Sequence, residues 1–364
     1  MTDEKSLSND RGADQQQRDR ANTPRPRSYH HARGRKRNQT QAMSRTRTAF
    51  AIALAAALSF AATPSRAEDT ITFGHVGAPS AIVWPIYIGL DQGFFEQNDI
   101  KLDIVFTRSS AQVLQQLAAG AIGMGDTGAF DPVRGVNEGA AVAILTIEAG
   151  PGPFSLLAKP EIKSIKDLKG KTISVGEVTD IARVYLDRML IANGMKDSDV
   201  DALPTNSTAA RLAALESKAV DAAMLSAPAS FKAASDGFVT LGLAADYVKD
   251  FPFGTINVGR GWASTHGEQI KHFMAAYLKS VAWFYDEKNR DRAVQIMATA
   301  SKTSREDNAQ SYDYYRKIGF FARDAKVSTA ALKGLISVLQ QMGEIKTGLS
   351  PEKLVMEGVT EIGP

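Results

Sequence analysis

The sequence predicts an α/β protein built from two similar lobes. Strand–turn–helix alternation begins near residue 70 and starts afresh at Ser164. Landmarks recur about a hundred residues apart: Gly93 answers to Gly194, and Leu114, Leu117 and Ile122 answer to Leu212, Leu215 and Val220. From Thr255 the alternation gives way to helical spacing, so a helical tail closes the chain.

The chain has 364 residues, 44% hydrophobic and 23% charged, enough for two packed cores. Its charge is unevenly placed. Residues 1–42 hold ten of the 43 Lys/Arg and five of the 40 Asp/Glu, and residues 43–67 add three Arg. The remainder is acidic, 30 Lys/Arg against 35 Asp/Glu, which argues against a nucleic-acid partner.

Residues 1–42 are too poor in apolar side chains to fold, and are read as a disordered basic extension or a misassigned start, with Met43 the true beginning. Arg45 and Arg47, the apolar run Ala49 to Ala62, and Ser65-Arg66-Ala67 then form a signal peptide cleaved near Ala67. Later, no stretch approaches twenty uninterrupted apolar residues. With zero cysteines there is no disulfide, thiolate metal site, cysteine nucleophile or lipid-anchored cysteine. An exported, unanchored protein of this kind is expected in a periplasm.

The elements follow in order. Ile71 to Val76 reads as a strand, Ile82 to Leu90 as a helix, and Ile100, Leu102, Ile104 and Phe106 alternate as in a second strand. Ser109 or Ser110 caps the next helix, which Gly120 ends; Ala121 to Gly125 is a short strand and Asp126-Thr127-Gly128 a polar loop at its end. In the second lobe Ser164 caps a short turn, Thr172 to Val175 is a strand, Thr179 and Asp180 cap a helix from Ile181, and Asp221 to Leu225 is a strand. Thr255 to Val258 is the last strand. Helices carrying Ile270, Phe273, Tyr277 and Val281, then Leu332, Leu335, Ile336 and Leu339, return to cover the first lobe. The lobes are therefore expected at 68–157 plus 255–364 and at 158–254, with crossings near Ser155 and Thr255.

Four stretches, Pro85 to Phe95, Leu117 to Asp126, Ser164 to Val175 and Leu212 to Pro228, together resemble the substrate-binding proteins of ABC importers of the nitrate, sulfonate and taurine type, a family that includes thiamine-precursor binders. The resemblance spans most of residues 70–360. It implies a periplasmic binding protein type II fold, two α/β lobes joined by a two-stranded hinge. It also implies a monomer that closes on a ligand and delivers it to a membrane permease with a cytoplasmic ATPase, without a cofactor.

The family holds its ligand at strand-to-helix turns between the lobes. Carried onto this chain, these are His75, Gly77, Ala78 and Trp84; Ser109 and Ser110; Asp126, Thr127 and Gly128; and Val178, Thr179, Asp180, Asn206 and Ser226. Each has a structural alternative: the serines, Thr179 and Asp180 as caps, His75 as a core imidazole, Trp84 as core, Asp126 as a turn former. Helix amino ends favour an anion, whereas Asp126, Glu148, Glu177 and Asp180 favour an amine, so a small organic anion or zwitterion is expected first. Arg108, Arg134 or Arg183 would clamp a sulfonate or carboxylate. A heteroaromatic vitamin precursor of the pyrimidine type, stacked on Trp84, is the alternative.

An enzyme on the same fold is less well supported. The related deaminase and pyrimidine-synthase chemistries need cysteine. Of the mature chain's histidines His75, His266 and His272, the last two are six apart and not helical neighbours, so no metal site is expected. No Gly-x-Ser-x-Gly elbow or phosphate loop is present.

Overall fold

The computed structural model describes residues 69–363 except Asn206, Ala325 and Thr347, so the basic extension, the signal peptide and its cleavage site lie outside the described residues. The chain begins with β1 (Asp69–Val76), α1 (Trp84–Asp91), β2 (Ile100–Thr107), α2 (Ser110–Ala118), β3 (Met124–Gly128), α3 (Phe130–Asn137) and β4 (Val142–Ala149). Residues 150–153 cross to a second unit: β5 (Phe154–Ala158), β6 (Thr172–Val175), α4 (Ile181–Ala192), β7 (Asp201–Pro204), α5 (Thr208–Glu216), β8 (Ala222–Ser226), α6 (Ala229–Ser235), β9 (Val239–Leu243) and α7 (Ala244–Tyr247). Residues 248–253 return to β10 (Gly254–Gly259). There follow α8 (Arg260–Ala263), α9 (Gly267–Tyr285), α10 (Arg290–Ser301), α11 (Arg305–Ile318) and α12 (Thr329–Gln341), with a two-stranded ladder of β11 (Val327–Ser328) and β12 (Ile362–Gly363).

The two large sheets share one plan. The first runs β2-β1-β3-β10-β4 and the second β7-β6-β8-β5-β9. In each, four strands share one direction, joined through helices, and the one supplied by a crossing, fourth in the order, runs antiparallel between its neighbours: β10 between β3 and β4, β5 between β8 and β9. The parallel strands end at one edge of each sheet, which is where open α/β sheets place ligand turns. The repeated landmarks have matching structural roles. Gly93 and Gly194 follow α1 and α4 with φ of +66° and +73°, a left-handed backbone that favours glycine. Leu114, Leu117 and Ile122 pack under the first sheet, while Leu215 and Val220, with Leu212 beside them, pack under the second.

Several boundaries differ from the sequence reading. β3 begins three residues later than expected, so Asp126, Thr127 and Gly128 are strand rather than loop. Pairing with β10 explains this, because it matches Gly128 with Gly254, Thr127 with Thr255 and Asp126 with Ile256, extending the strand past Met124 and Gly125, where β1 pairs on the other edge. Ser155, expected at a crossing, lies inside β5 opposite Leu225 and Leu243, which moves the first crossing to 150–153. α9, α10 and α11 cover the first sheet, as Phe273, Tyr277, Val294, Met297 and Tyr312 join its core. By contrast α12 packs into the core shared with the second lobe, through Leu332, Leu335 and Leu339.

That core is continuous through the crossings. Phe130 meets Phe251 at 5.1 Å between ring centroids, Phe251 stacks on Tyr185 at 5.8 Å, Tyr185 meets Phe154 at 5.8 Å, and Phe154 meets Phe253 at 5.9 Å. Such pairs contribute about 0.5–1.5 kcal/mol beyond their burial, so both crossings are anchored by apolar packing.

Candidate ligand-binding cleft

Across the cleft, lobe one presents the end of β3, the first turn of α3 and the start of α2, and lobe two presents the β6–α4 turn. Ser109 is the N-cap of α2, its hydroxyl accepting the Gln112 N–H at 3.3 Å, and is exposed. Ser110, one residue on, stands close enough to Asp131 in the first turn of α3 to favour its carboxylate form. Gly128 leaves room for that carboxylate: a Cβ there would lie 3.0 Å from Asp131 Oδ2.

Arg134 ties this group to the other lobe. Its Nη2 donates to the Thr179 carbonyl at 2.8 Å, Nη1 to Asp131 at 3.2 Å and Nε to Glu344 at 2.5 Å. Asp180 caps α4 by accepting the Ala182 N–H at 2.7 Å, and its other oxygen is 3.5 Å from Arg211 Nη2. Arg211 is buried and donates through Nε to the Thr205 carbonyl at 2.9 Å. Burial pushes the Asp131 carboxyl above the usual aspartate range; Ser110 and Arg134 pull it down, and Asp180 across the cleft adds a smaller push upward. The strip therefore offers both charge signs: carboxylates for an amine, and guanidinium and hydroxyl donors for an oxyanion.

A second group lies deeper. His75 at the end of β1 is 2% exposed, with Nδ1 donating to both oxygens of Asp126 at 2.8 and 2.9 Å. Thr127, on the other face of β3, accepts from Asn257 Nδ2 at 3.0 Å. All three are buried beneath the cleft, His75 and Asp126 engaged with each other and Thr127 with Asn257. Gly77, with φ +83°, and Ala78 form the exposed turn after β1. Val178 is 65% exposed beside Thr179. Ser226 ends β8, hydrogen-bonded to Thr208 at 3.0 Å, and lines a cavity of about 270 Å³ between the lobes with Pro79, Ile82, Pro228, Phe253 and Tyr315. Asn206 lies outside the described residues.

Trp84 does not belong to the cleft. It is fully buried, donates through Nε1 to the Ala293 carbonyl at 2.8 Å, and packs edge-on against Phe284, Tyr312 and Tyr315. The helical tail supplies those partners from two hundred or more residues away, so its place in the core follows from tertiary packing. Of Arg108, Arg134 and Arg183, Arg134 reaches the opposite lobe. Arg183 is held on its own lobe by Asp187 and Asp197, and the Arg108 backbone N–H is bound by Gln112. The sequence reading missed Asp131 and Arg211. An acidic residue in the first turn of a helix that leaves a cleft strand was a usable signal for Asp131; Arg211 gave none.

A larger cavity, about 980 Å³, opens elsewhere, between the crossings and α12, and none of the expected turn residues lines it. The strand-end cleft is the better candidate because polar groups of both lobes converge there.

Two five-stranded α/β sheets exchanging their antiparallel strands through a double crossing define the periplasmic binding protein type II class. Residues 81–290 match the NMT1/THI5-like family, and the chain belongs to that family. A Brucella abortus (strain 2308) protein, named only as a binding protein, is 26% identical over 277 residues, 73% of this chain and 83% of the relative. The periplasmic aliphatic sulphonate binding protein SsuA from Escherichia coli shares the fold with a TM-score of 0.65, at 17% identity over 80% of this chain and 98% of SsuA. So does a cysteine-to-serine variant of DszB, solved with biphenyl-2-sulfinic acid, with a TM-score of 0.61 at 16% identity over 80% of this chain and 98% of that one.

Proposed function

We propose that this chain is the periplasmic solute-binding component of an ABC importer, capturing a small organic anion or zwitterion between its lobes and handing it to a permease served by a cytoplasmic ATPase. The carrying observation is the two-signed polar strip, in which Arg134 of lobe one donates directly to the Thr179 carbonyl of lobe two. An oxyanion between the lobes would replace that carbonyl as the acceptor, and an ammonium group would sit against Asp131 and Asp180. Either contact bridges both lobes, so the ligand binds the closed form better and shifts the population toward it.

Export by a signal peptide cleaved near Ala67 and action as a monomer belong to the same reading. The sulphonate named for SsuA and the sulfinic acid bound to DszB are both sulfur oxyanions, which supports this ligand class. The burial of Trp84 takes away the stacking surface on which a heteroaromatic ligand was expected, which weighs against that alternative. DszB is an enzyme, and its solved form has a cysteine replaced; this chain contains no cysteine, which supports binding over catalysis.

The test is thermal shift of the purified protein against alkanesulfonates, carboxylates, nitrate, amino-acid zwitterions and pyrimidines, with calorimetry on hits. A native-state ligand at a hundredfold excess over Kd adds about 2.7 kcal/mol of stability. A sulfonate, carboxylate, nitrate or zwitterion hit supports the reading. A pyrimidine hit moves it to the vitamin-precursor class, and chemical turnover of any hit overturns it.

A further inference from the structure

Glu148 is fully buried near the end of β4, just before the first crossing, and neither of its carboxyl oxygens has a hydrogen-bond partner among the described residues. Its side chain stands beside Gly254, the first residue of β10 after the second crossing: a Cβ built on Gly254 would lie 3.6 Å from Oε2. One carboxyl is therefore placed at the roots of both crossings. The backbone around it is closely tied. The Phe253 N–H donates to the Ala149 and Gly150 carbonyls at 2.9 and 2.8 Å, and the Gly150 N–H to the Phe320 carbonyl at 2.9 Å. The Ala322 N–H donates to the Glu148 carbonyl at 3.1 Å.

The groups facing this carboxyl do not compensate a charge. β3 supplies Asp126, itself bound to His75 of β1. α9 supplies Tyr277, whose buried hydroxyl also lacks a partner among the described residues, and beyond it Tyr285. The nearby arginines are spent on Tyr285: Arg316 donates to its carbonyl at 3.1 Å and Arg323 lies 3.6 Å over its ring. Burial first, and the Asp126 charge second, push the Glu148 carboxyl well above the usual carboxylate range.

We propose that Glu148 couples lobe opening to proton release: it carries a proton while packed between the crossings and gives it up when they loosen. An ionised carboxyl here would be buried, unpaired and next to a second carboxylate, and hydration through loosened crossings relieves that. The packed state then holds one proton more than the loosened state between the ordinary glutamate range and the raised value. Its advantage falls as pH rises through that interval and is undiminished below it. The inference takes the moving lobes from the proposed function, but its test needs no ligand, so the two fail separately.

Hydrogen exchange of the full ligand-free chain, corrected for intrinsic rates, is measured from about pH 5 to about pH 9 at Gly150 and Phe253. Protection at both amides should fall by up to about tenfold per pH unit in the native chain and stay flat in Glu148→Gln. The same slope in both proteins, or none in the native chain, overturns the proposal. A second measurement needs no variant: in chain carrying ¹³C-carboxyl glutamate, one glutamate should titrate well above the others. Titration of every glutamate in the ordinary range overturns it as well.

Discussion

Trp84 and Arg134 show how far residue type alone carries. A tryptophan after a strand end is equally suited to stacking and to a core; the aromatic partners brought by α9 and α11 decide for the core. Trp84→Ala should destabilise the protein by about 3–5 kcal/mol in denaturant unfolding while leaving the ligand Kd of the folded protein unchanged. Lost affinity with unchanged stability would return it to the cleft. Arg134→Gln should weaken an oxyanion ligand by about 10- to 100-fold in calorimetry, the range of a charge-assisted hydrogen bond. Arg183→Gln should leave affinity in place, since Arg183 serves Asp187 and Asp197 on its own lobe. The cap at Asp180 was legible because it is local, an acceptor two residues before the N–H it binds. The Asp131–Arg134–Thr179 link was not, since it joins residues 45 apart across two lobes.

At the scale of elements, local periodicity located β1, β2, β6, α2 and α4 closely, because each has an alternating or capped pattern of its own. β4, β5 and β9 left weaker traces. β4 is buried on both faces and opens with the apolar run Val142 to Leu145, so hydrophobic–polar alternation does not identify it. The helix α12 shows an element placed by contact. A Cβ on Gly334 would fall 2.0 Å from the Asp250 carbonyl, so the helix rests directly on the second crossing. Gly334→Ala should cost about 1–3 kcal/mol despite alanine's better helix propensity, read from the denaturation midpoint; a stabilised variant would show that the helix can shift away.

For the whole molecule, acid stability follows from paired carboxylates. Lys159 holds the Asp221 carboxyl below the usual aspartate range, and Arg290 does the same for Asp313. Both are depressed in the folded state, so their stabilisation is present above the unfolded value and is lost as pH falls through the folded value. Unfolding midpoints should drop below about pH 4, and Lys159→Met should flatten part of that slope. The sequence by itself determined the two-lobed α/β plan, the repeat, the helix caps and most strand-end turns, because these depend on periodicity and on partners within a few residues. Tertiary structure decided which polar residues meet across the cleft, that Trp84 lies in the core, and that Glu148 stands between two crossings a hundred residues apart. Those outcomes depend on which distant side chains share one space, and spacing along the chain does not encode that.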